Sequence, residues 1–446
     1  MLPGDVVGYP PAQQRGSTTV DRSKIALLGD DSIASSTERS APALTASDHA
    51  DRRAIGLLSV AHAAVDLNPS ALAALLPIFY ATFHLSFGAT ALITAVSQVT
   101  NSVCQLPFGY LADHVSLRFF IPLGCLCAGL GLALAGLAPT YPLLLVAISV
   151  CGLGVAMFHP EAARTANRVS GQKRATAMSI FSVGGNLGFA CGPLAASVVA
   201  GFLAREGSLL FLIPVGIVAT IVQLASRRRA PTASVRATTL APSPPGEVKK
   251  GQLVLLTLVT IIRSSLQVGI MTFVPLYEVT VLHRSQAYAS GLITAFLALG
   301  AAGTIFAGIA ADRWGRQSTV LVSFLLSIPL LALFRYDHGP AGFVALALAG
   351  GFLLSTFAVT IVMGQELLPQ RTGVAAGLTI GFGSGVGGAL IGGLGHLADI
   401  AGLPAALDVL MVLPVLAVGC ALGLSRRGRV DRAPRTESEQ ARALLR

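Results

Sequence analysis

Long apolar segments alternate with short polar connections along most of the chain. Twelve of them are long enough to cross a hydrocarbon core of roughly 30 Å as a helix, which takes about 20 residues. They are residues 54–82, 88–112, 118–138, 141–163, 175–203, 208–226, 251–281, 286–311, 318–334, 341–367, 373–398 and 404–425. Because lipid offers the backbone no hydrogen-bond partners, each segment must be helical. The pattern predicts an all-α membrane protein with twelve transmembrane helices.

Two sequence blocks from the first half of the chain recur in the second half. Residues 89–95 (ATALITA) and 109–118 (GYLADHVSLR) correspond to residues 289–295 (ASGLITA) and 308–317 (GIAADRWGRQ), with a shift of 199 or 200 residues. In each copy the second block places charged residues between two apolar segments. A repeat of this length predicts a duplicated fold, with two pseudo-symmetric bundles of six helices.

These patterns divide the chain into five predicted parts. Residues 1–53 are rich in Ser, Thr, Asp and Pro without apolar periodicity, so we expect a disordered cytoplasmic tail. The two bundles comprise residues 54–226 and 251–425, joined by a cytoplasmic linker at residues 227–250 with basic residues at both ends. Residues 426–446 form a second cytoplasmic tail.

Basic residues predict the orientation of the helices. The chain has 31 Lys and Arg against 21 Asp and Glu. With both termini in the cytoplasm, all but four of these basic residues lie on the cytoplasmic side; Arg205, Arg284 and Arg335 lie outside and Arg263 lies within a segment. This asymmetry follows the positive-inside rule. Attraction to anionic lipid accounts for the net charge of +10, so the bilayer is an expected partner and nucleic acid is not.

Composition and motifs argue against several other classes of protein. Hydrophobic residues make up 53% of the chain and charged residues 12%, against about a quarter charged in soluble proteins. The six cysteines all fall within apolar segments and form no CxxC pair, so neither a disulfide nor a metal site is predicted. The sequence also has no HExxH, GxSxG or P-loop motif. We therefore expect no enzyme, no cofactor and no direct use of ATP.

The first apolar segment contains an unusual set of polar residues. His62 and Asp66 are one helical turn apart on the same face, and Asn68 follows them. One interpretation is that His62 and Asp66 pair with each other or with a neighbouring helix and hold the bundle together. The other is a reversible proton carrier, because a carboxylate in a membrane core costs several kcal/mol and is usually functional.

The seventh segment carries a basic residue at a similar depth. When Pro77 is matched with Pro275, Arg263 falls within one residue of the position of Asp66, and Gln267 lies one turn further on. A buried Arg263–Asp66 salt bridge could lock the two halves together. Alternatively, Arg263 binds an anionic substrate, or its bond to Asp66 is broken by protonation. An Arg at this depth needs some partner, since it costs roughly 2.5–3.5 kcal/mol.

Other polar residues are candidates for a substrate cavity or for a gate. Gln98, Asn101 and Gln105 in the second segment, together with Asn186 in the fifth, either hold helices together or line a wet cavity. His159 and Glu161 flank Pro160 near the internal end of the fourth segment, where Glu161 could pair with Arg164 or take part in gating. Glu366 occupies the matching place in the tenth segment.

Two segments carry a small residue at every fourth position. The fifth has Gly184, Gly188 and Gly192, and the eleventh has Gly373, Gly377, Gly381 and Gly385. Such stripes allow neighbouring helices to approach closely. Their matched positions suggest two bundles that rock against each other rather than a fixed pore.

The charged blocks resemble the G-x-x-x-D-R-x-G-R motif of major facilitator superfamily transporters. The second copy is intact in Gly308, Asp312, Arg313, Gly315 and Arg316. The first copy keeps Gly109, Asp113 and Arg118, but has His114, Ser116 and Leu117 where Arg, Gly and Arg are expected. The resemblance implies the major facilitator fold. It also implies that Asp113 and Asp312, with the neighbouring Arg residues, act as conformational latches against a helix end of the opposite half.

A narrower resemblance rests on three motifs. His62-x3-Asp66, residues 158–161 (FHPE) and residues 365–369 (QELLP) are together similar to the fosmidomycin resistance branch of that superfamily. This resemblance implies proton-driven efflux of drugs. Gly188 and Gly192 also resemble part of an antiporter motif, although Ala196 replaces a later glycine.

Our leading hypothesis is a monomeric, proton-coupled antiporter in the bacterial plasma membrane. It exports a small anionic or amphipathic compound by alternating access, using the proton gradient as its energy source. Asp66, His62, Arg263 and Glu161 are the predicted coupling residues. Proton-coupled uptake is an alternative that the same residues could support. A non-transporting membrane sensor fits less well, because a sensor needs no polar residues at mid-depth in both halves.

Overall fold

The computed structural model describes residues 51–114, 119–170, 174–227, 250–368, 375 and 377–424. These residues form twelve α-helices and contain no strand. The helices are α1 (Arg52–Thr82), α2 (Phe87–His114), α3 (Phe120–Leu137), α4 (Tyr141–Arg168), α5 (Arg174–Leu203), α6 (Leu212–Arg227), α7 (Lys250–Leu276), α8 (Gln286–Trp314), α9 (Arg316–Tyr336), α10 (Pro340–Leu367), α11 (Gly383–Ala401) and α12 (Leu403–Leu422). A 3₁₀ turn (Ala204–Phe211) joins α5 to α6, and π-helical turns (Tyr277–Val281 and Gly377–Phe382) follow α7 and precede α11.

The predicted all-helical membrane fold is confirmed. Ten stretches of the described residues are long and apolar enough to cross a membrane, and one of them, Ala177–Ala225, runs through both α5 and α6. α2 is not among the ten, because polar residues such as Gln98 and Asn101 interrupt its apolar sequence. The number of membrane crossings and the cytoplasmic location of the termini remain predictions. The N-terminal tail up to residue 50, the linker from residue 228 to 249 and the C-terminal tail lie outside the described residues.

The helices pack as two groups, α1–α6 and α7–α12. In the first group α1 lies against α3, α4, α5 and α6, and in the second α7 lies against α10, α11 and α12. The main contacts between the groups are those of α2 with α11 and of α5 with α8. We call the end at which α1 and α7 begin the terminal end of the bundle, and the other the opposite end.

Glycines allow the closest helix contacts, as the stripes predicted. A Cβ on Gly184 or Gly188 would lie 2.1 or 2.0 Å from the backbone oxygen of Ser59 or Ala63, so α5 touches the backbone of α1. In the second stripe, Gly385 faces Ser102 of α2. Gly373 lies outside the described residues. The α5 stripe therefore joins helices of one group, whereas the α11 stripe joins the two groups.

The charged hairpin between α8 and α9 turns at Gly315. This residue has φ of +94°, a left-handed conformation that favours glycine, and it ends α8 and starts α9. Arg316 forms an ion pair with Glu366 of α10, within the same group. Asp312 is exposed and has no ion pair among the described residues, and its role as a latch stays a prediction. The side chain of Asp113 and all of Arg118 lie outside the described residues.

At the opposite end a carboxylate that was not predicted connects the two groups. Asp399, near the end of α11, accepts hydrogen bonds from the backbone N–H groups of Phe87 (2.6 Å) and Gly88 (3.0 Å), at the start of α2. Gln286 of α8 also donates to the carbonyl oxygen of Ala74 in α1. A carboxylate stabilises the positive end of a helix dipole, so Asp399 links the two groups of helices at the opposite end.

We expect Asp399→Asn to favour opening at this end. Asparagine has one acceptor oxygen and no charge, so the closed state loses about 1 kcal/mol, or roughly fivefold in the equilibrium. Disulfide crosslinking of the pair Ser86→Cys and Ile400→Cys, on a background without native cysteines, measures this change as a lower yield. Asp408→Asn is the control, because Asp408 pairs with Arg335 inside the second group (2.7 Å). Equal crosslinking yields in the wild type, Asp399→Asn and Asp408→Asn would contradict this role of Asp399.

Candidate functional site

Three titratable side chains meet between α1 and α4. The Nε2 atom of His62 lies 3.2 Å from Oδ2 of Asp66, and Nε2 of His159 lies 3.2 Å from Oδ1 of the same carboxylate. The two Nε2 atoms are themselves 3.2 Å apart. The predicted His62–Asp66 pair is thus present, and His159 joins it. We call these three residues the His–Asp triad.

Backbone carbonyls hold both imidazoles in place. The Nδ1 atom of His62 lies 2.9 Å from the carbonyl oxygen of Phe181, on whose ring His62 stacks at 4.2 Å. The Nδ1 atom of His159 lies 2.9 Å from the carbonyl oxygen of Val155, one turn earlier in α4. Gly185 makes room for His62, because a Cβ there would lie 2.5 Å from the imidazole ring. The rings are therefore positioned by α4 and α5 as well as by Asp66.

This arrangement directs three acceptor groups at one point. A carbonyl oxygen can only accept, so each Nδ1 must be a donor, and in a neutral imidazole the Nε2 atom is then an acceptor. An ionised Asp66 offers only acceptors too. A proton added to either Nε2 atom turns its 3.2 Å contact with Asp66 into a charge-assisted hydrogen bond. The triad has the chemistry of a proton-binding site.

Arg263 does not pair with Asp66 in this structure, so of the interpretations left open by the sequence, the salt bridge between the halves is not present here. The guanidinium of Arg263 donates to Oε1 of Gln267 (3.0 Å) and lies 4.8 Å from the centre of the Phe357 ring. It is 3% exposed and forms no ion pair among the described residues, and its Nε atom has no hydrogen-bond partner there. Asp66 contacts His62 and His159 instead, both from the first group.

Glu161 forms a local ion pair with Arg164. This was the simpler of the two interpretations of Glu161. Its carboxylate lies 3.4 Å from Nη1 of Arg164 and 3.5 Å from Oγ1 of Thr165. Pro160 lies inside α4, which continues to Arg168. Glu161 is therefore held at the terminal end of α4, and the structure gives it no contact with the triad.

The predicted cavity residues differ in their surroundings. Gln98 lines a small cavity of about 30 Å³ between α1, α2 and α7, next to Met271. Asn101 accepts from Gln105 (2.8 Å), and Asn186 is exposed. Asn68 is fully buried and donates to the carbonyl oxygens of Ala64 (2.7 Å) and Val65 (3.3 Å) of its own helix. The side chain of Asn68 thus bonds carbonyl groups of its own helix next to Pro69, whereas Gln98 faces the small cavity.

Sequence reasoning missed two features of this region. His159 was predicted to be a gating residue, and no histidine cluster was predicted. The reason is that His62 and His159 are 97 residues apart and meet only when α1 packs on α4. No role was predicted for Glu278, which is buried in the π-helical turn after α7, 3.5 Å from Arg284. The adjacent Phe158-His159-Pro160 run was the signal available for His159.

Known proteins are similar to this chain over most of its length. The family model described as Major Facilitator Superfamily matches residues 58–442. The MFS-type transporter YfnC of Bacillus subtilis is 30% identical over 375 residues, covering 81% of this chain and 90% of that protein. The fosmidomycin resistance protein of Escherichia coli is 30% identical over 367 residues, with the same coverage of both chains.

Solved structures of transporters share the fold. A bacterial homologue of the human lysosomal transporter Spinster, in an inward-facing and occupied conformation, matches with a TM-score of 0.67 and 18% identity over 83% of this chain and 96% of its own. A mutant of the nucleoside transporter NupG matches with a TM-score of 0.67 and 15% identity over 83% and 99%. The resemblance drawn from the motifs is confirmed, and this chain belongs to the Major Facilitator Superfamily as one of its membrane transporters.

Proposed function

We propose that this transporter exports a small anionic or amphipathic compound, such as a fosmidomycin-like drug, in exchange for protons. The observation that carries the proposal is the His–Asp triad, in which one carboxylate is shared by two imidazoles inside the helix bundle. The relative named for fosmidomycin resistance supports the direction of transport and the kind of solute. We propose the bacterial plasma membrane as its location and a monomer as the working unit.

Proton exchange at the triad follows from its hydrogen bonds. Asp66 and the two Nε2 atoms accept hydrogen bonds unless a proton is added, so one proton binds between them and is released when they separate or meet water. His62 and Asp66 lie on α1 and His159 lies on α4, so movement between these helices changes proton affinity. Such coupling between a conformational change and a proton is what an antiporter requires.

Arg263 provides the positive charge for an anionic solute. It is buried, it has one amide partner in Gln267, and no acidic side chain among the described residues neutralises it. A buried charge without a counter-ion costs free energy that an incoming anion recovers. Gln98 lines a separate small cavity to which both groups of helices contribute, with Val268 and Met271 from α7.

Alternating access uses the contacts between the two groups of helices. Asp399 closes the opposite end, while Asp312, Arg313, Arg316 and Glu366, with Asp113 and Arg118, form the gate at the terminal end. Glu161, near the end of α4, is also assigned to proton coupling in this proposal. Members of this superfamily are in general transporters and not enzymes, and the proposal assigns no covalent chemistry.

A growth panel tests the proposed function. Cells that make the wild-type protein, Arg263→Gln or no transporter are compared on fosmidomycin, other small anionic antibiotics and cationic dyes. We expect wild-type cells to tolerate several times more of at least one anionic compound, and Arg263→Gln cells to lose this tolerance. Arg52→Gln, an exposed arginine at the start of α1, is the control. Greater sensitivity of wild-type cells would indicate uptake, and tolerance of cationic dyes alone would contradict an anionic substrate.

A further inference from the structure

We propose that the His–Asp triad is also a binding site for a divalent transition-metal ion, with Zn²⁺, Co²⁺ and Ni²⁺ as the ions it suits. His62 and His159 supply one Nε2 atom each and Asp66 supplies a carboxylate oxygen. One ligand atom from each residue can be chosen so that the three lie within 4.8 Å of one another. The inference stands on this geometry and does not depend on the proposed proton coupling or on the transported solute.

The separation of the ligand atoms fits a metal ion without movement of the chain. Zn²⁺ binds imidazole nitrogen and carboxylate oxygen at about 2.0–2.2 Å, so two ligands of a tetrahedral ion lie about 3.3–3.4 Å apart. The two Nε2 atoms are 3.2 Å apart, Nε2 of His62 lies 3.2 Å from Oδ2 of Asp66, and Nε2 of His159 lies 3.2 Å from Oδ1 of Asp66. The two imidazoles therefore already have the spacing of two tetrahedral ligands, and the carboxylate of Asp66 lies beside both, so that it can bind through both oxygens or turn to present one of them.

The surroundings of the imidazoles match those of metal-binding histidines. Such histidines donate their second ring N–H to a carbonyl or carboxylate, which fixes the tautomer and points the lone pair at the metal. Here Nδ1 of His62 donates to Phe181 and Nδ1 of His159 donates to Val155, both at 2.9 Å. The stack of His62 on Phe181 further restrains the ring. A site that only paired charges has no need of two rings fixed in this way.

The kind and number of ligands select the ion. Two imidazoles and one carboxylate favour borderline metals over Mg²⁺ and Ca²⁺, which prefer oxygen alone, and the triad has no sulfur for Cu⁺. The side chain of His159 is 28% exposed and that of Asp66 is 14% exposed, so the protein does not fully enclose the ligand atoms. The fourth position is left for water. A bound ion links α1 to α4 within the first group.

Metal binding to the purified full-length protein tests the proposal. The protein, freed of affinity tags and treated with chelator, is titrated with Co²⁺ and its visible absorption is recorded, followed by displacement with Zn²⁺. We expect one Co²⁺ per chain, an intense tetrahedral spectrum and displacement by Zn²⁺ but not by Mg²⁺. His159→Gln should weaken binding at least roughly tenfold, and His396→Gln, which alters a histidine on α11 away from the triad, should leave it unchanged.

A second measurement avoids the question of whether a variant folds. X-ray absorption of the wild-type protein with one equivalent of Zn²⁺ should show two imidazole ligands and oxygen neighbours at about 2.0–2.1 Å. The proposal is overturned if the wild type binds no ion even at a large molar excess. It is equally overturned if His159→Gln binds like the wild type, or if the absorption data show fewer than two imidazoles. Loss of binding in His159→Gln with retention in His396→Gln supports it.

Discussion

Everted membrane vesicles that contain Asp66→Asn release no protons when substrate is added, whereas wild-type vesicles do; this is the largest functional effect that we expect. Asparagine preserves the size of the side chain and can donate its amide N–H to the Nε2 atoms of His62 and His159. It cannot bind and release a proton. Transport against a gradient should therefore fall to the background level, while exchange of solute down its gradient persists.

The energy at stake explains why one residue has this effect. A proton that crosses a potential of 100 mV releases about 2.3 kcal/mol, which supports a solute gradient of roughly 50-fold. Without a group that carries the proton, none of this energy reaches the solute. The measurement is the dequenching of a pH-sensitive dye in the lumen, with a substrate identified by the growth panel.

Folding of Asp66→Asn should be close to normal. From the sequence alone, Arg263 was a possible partner of Asp66, and Arg263→Gln was then a possible second change to restore abundance. The structure makes that change unnecessary, because Arg263 contacts Gln267 and Phe357 instead. Asp408→Asn, which alters a carboxylate at the opposite end, serves as the control and should retain proton release. Full coupling in Asp66→Asn would transfer the proton-carrying role to Glu161, His159 or Glu366.

Gly188→Ala should cause the largest loss of folded protein. The new Cβ would lie 2.0 Å from the carbonyl oxygen of Ala63 and 2.6 Å from its carbonyl carbon, both of them backbone atoms that cannot turn away. α1 and α5 must separate, and overpacking of this kind costs about 1–3 kcal/mol. Because His62 lies against Gly185 of the same contact, the triad is displaced as well. We expect a lower yield of monodisperse protein and a lower Tm.

Gly201→Ala is the matched control for this prediction. Gly201 lies on the same helix, and no atom lies within 4 Å of the place a Cβ would occupy. Alanine is favoured over glycine in a helix by about 0.5–1 kcal/mol, so this variant should be as stable as the wild type or slightly more stable. Size-exclusion chromatography and thermal unfolding of both purified proteins measure the difference. Equal stability of Gly188→Ala and Gly201→Ala would show that α1 and α5 tolerate separation.

The sequence by itself determined the helices, the duplication and the family. Segment length and apolarity predict helices because the bilayer leaves the backbone no other way to bond its N–H and C=O groups. The observed helices begin and end within about five residues of the predicted segments, except that α11 begins at Gly383, after the π-helical turn, in the segment predicted to start at residue 373. The turn at Gly315 was also predictable, since the motif requires a residue that tolerates positive φ. His62 and Asp66 could be paired in advance because one helical turn separates them.

Only the tertiary structure decided which distant residues meet. His159 joins Asp66 because α4 packs on α1, and no periodicity along one helix contains that information. The two mid-depth charges, Asp66 and Arg263, looked complementary by depth and sign. However, Asp66 contacts the imidazoles of His62 and His159, and Arg263 contacts Gln267. The contact of Asp399 could not be predicted either, because it depends on the start of α2 lying beside the end of α11. Local rules fix the elements, whereas contacts between elements depend on the rotation and separation of whole helices.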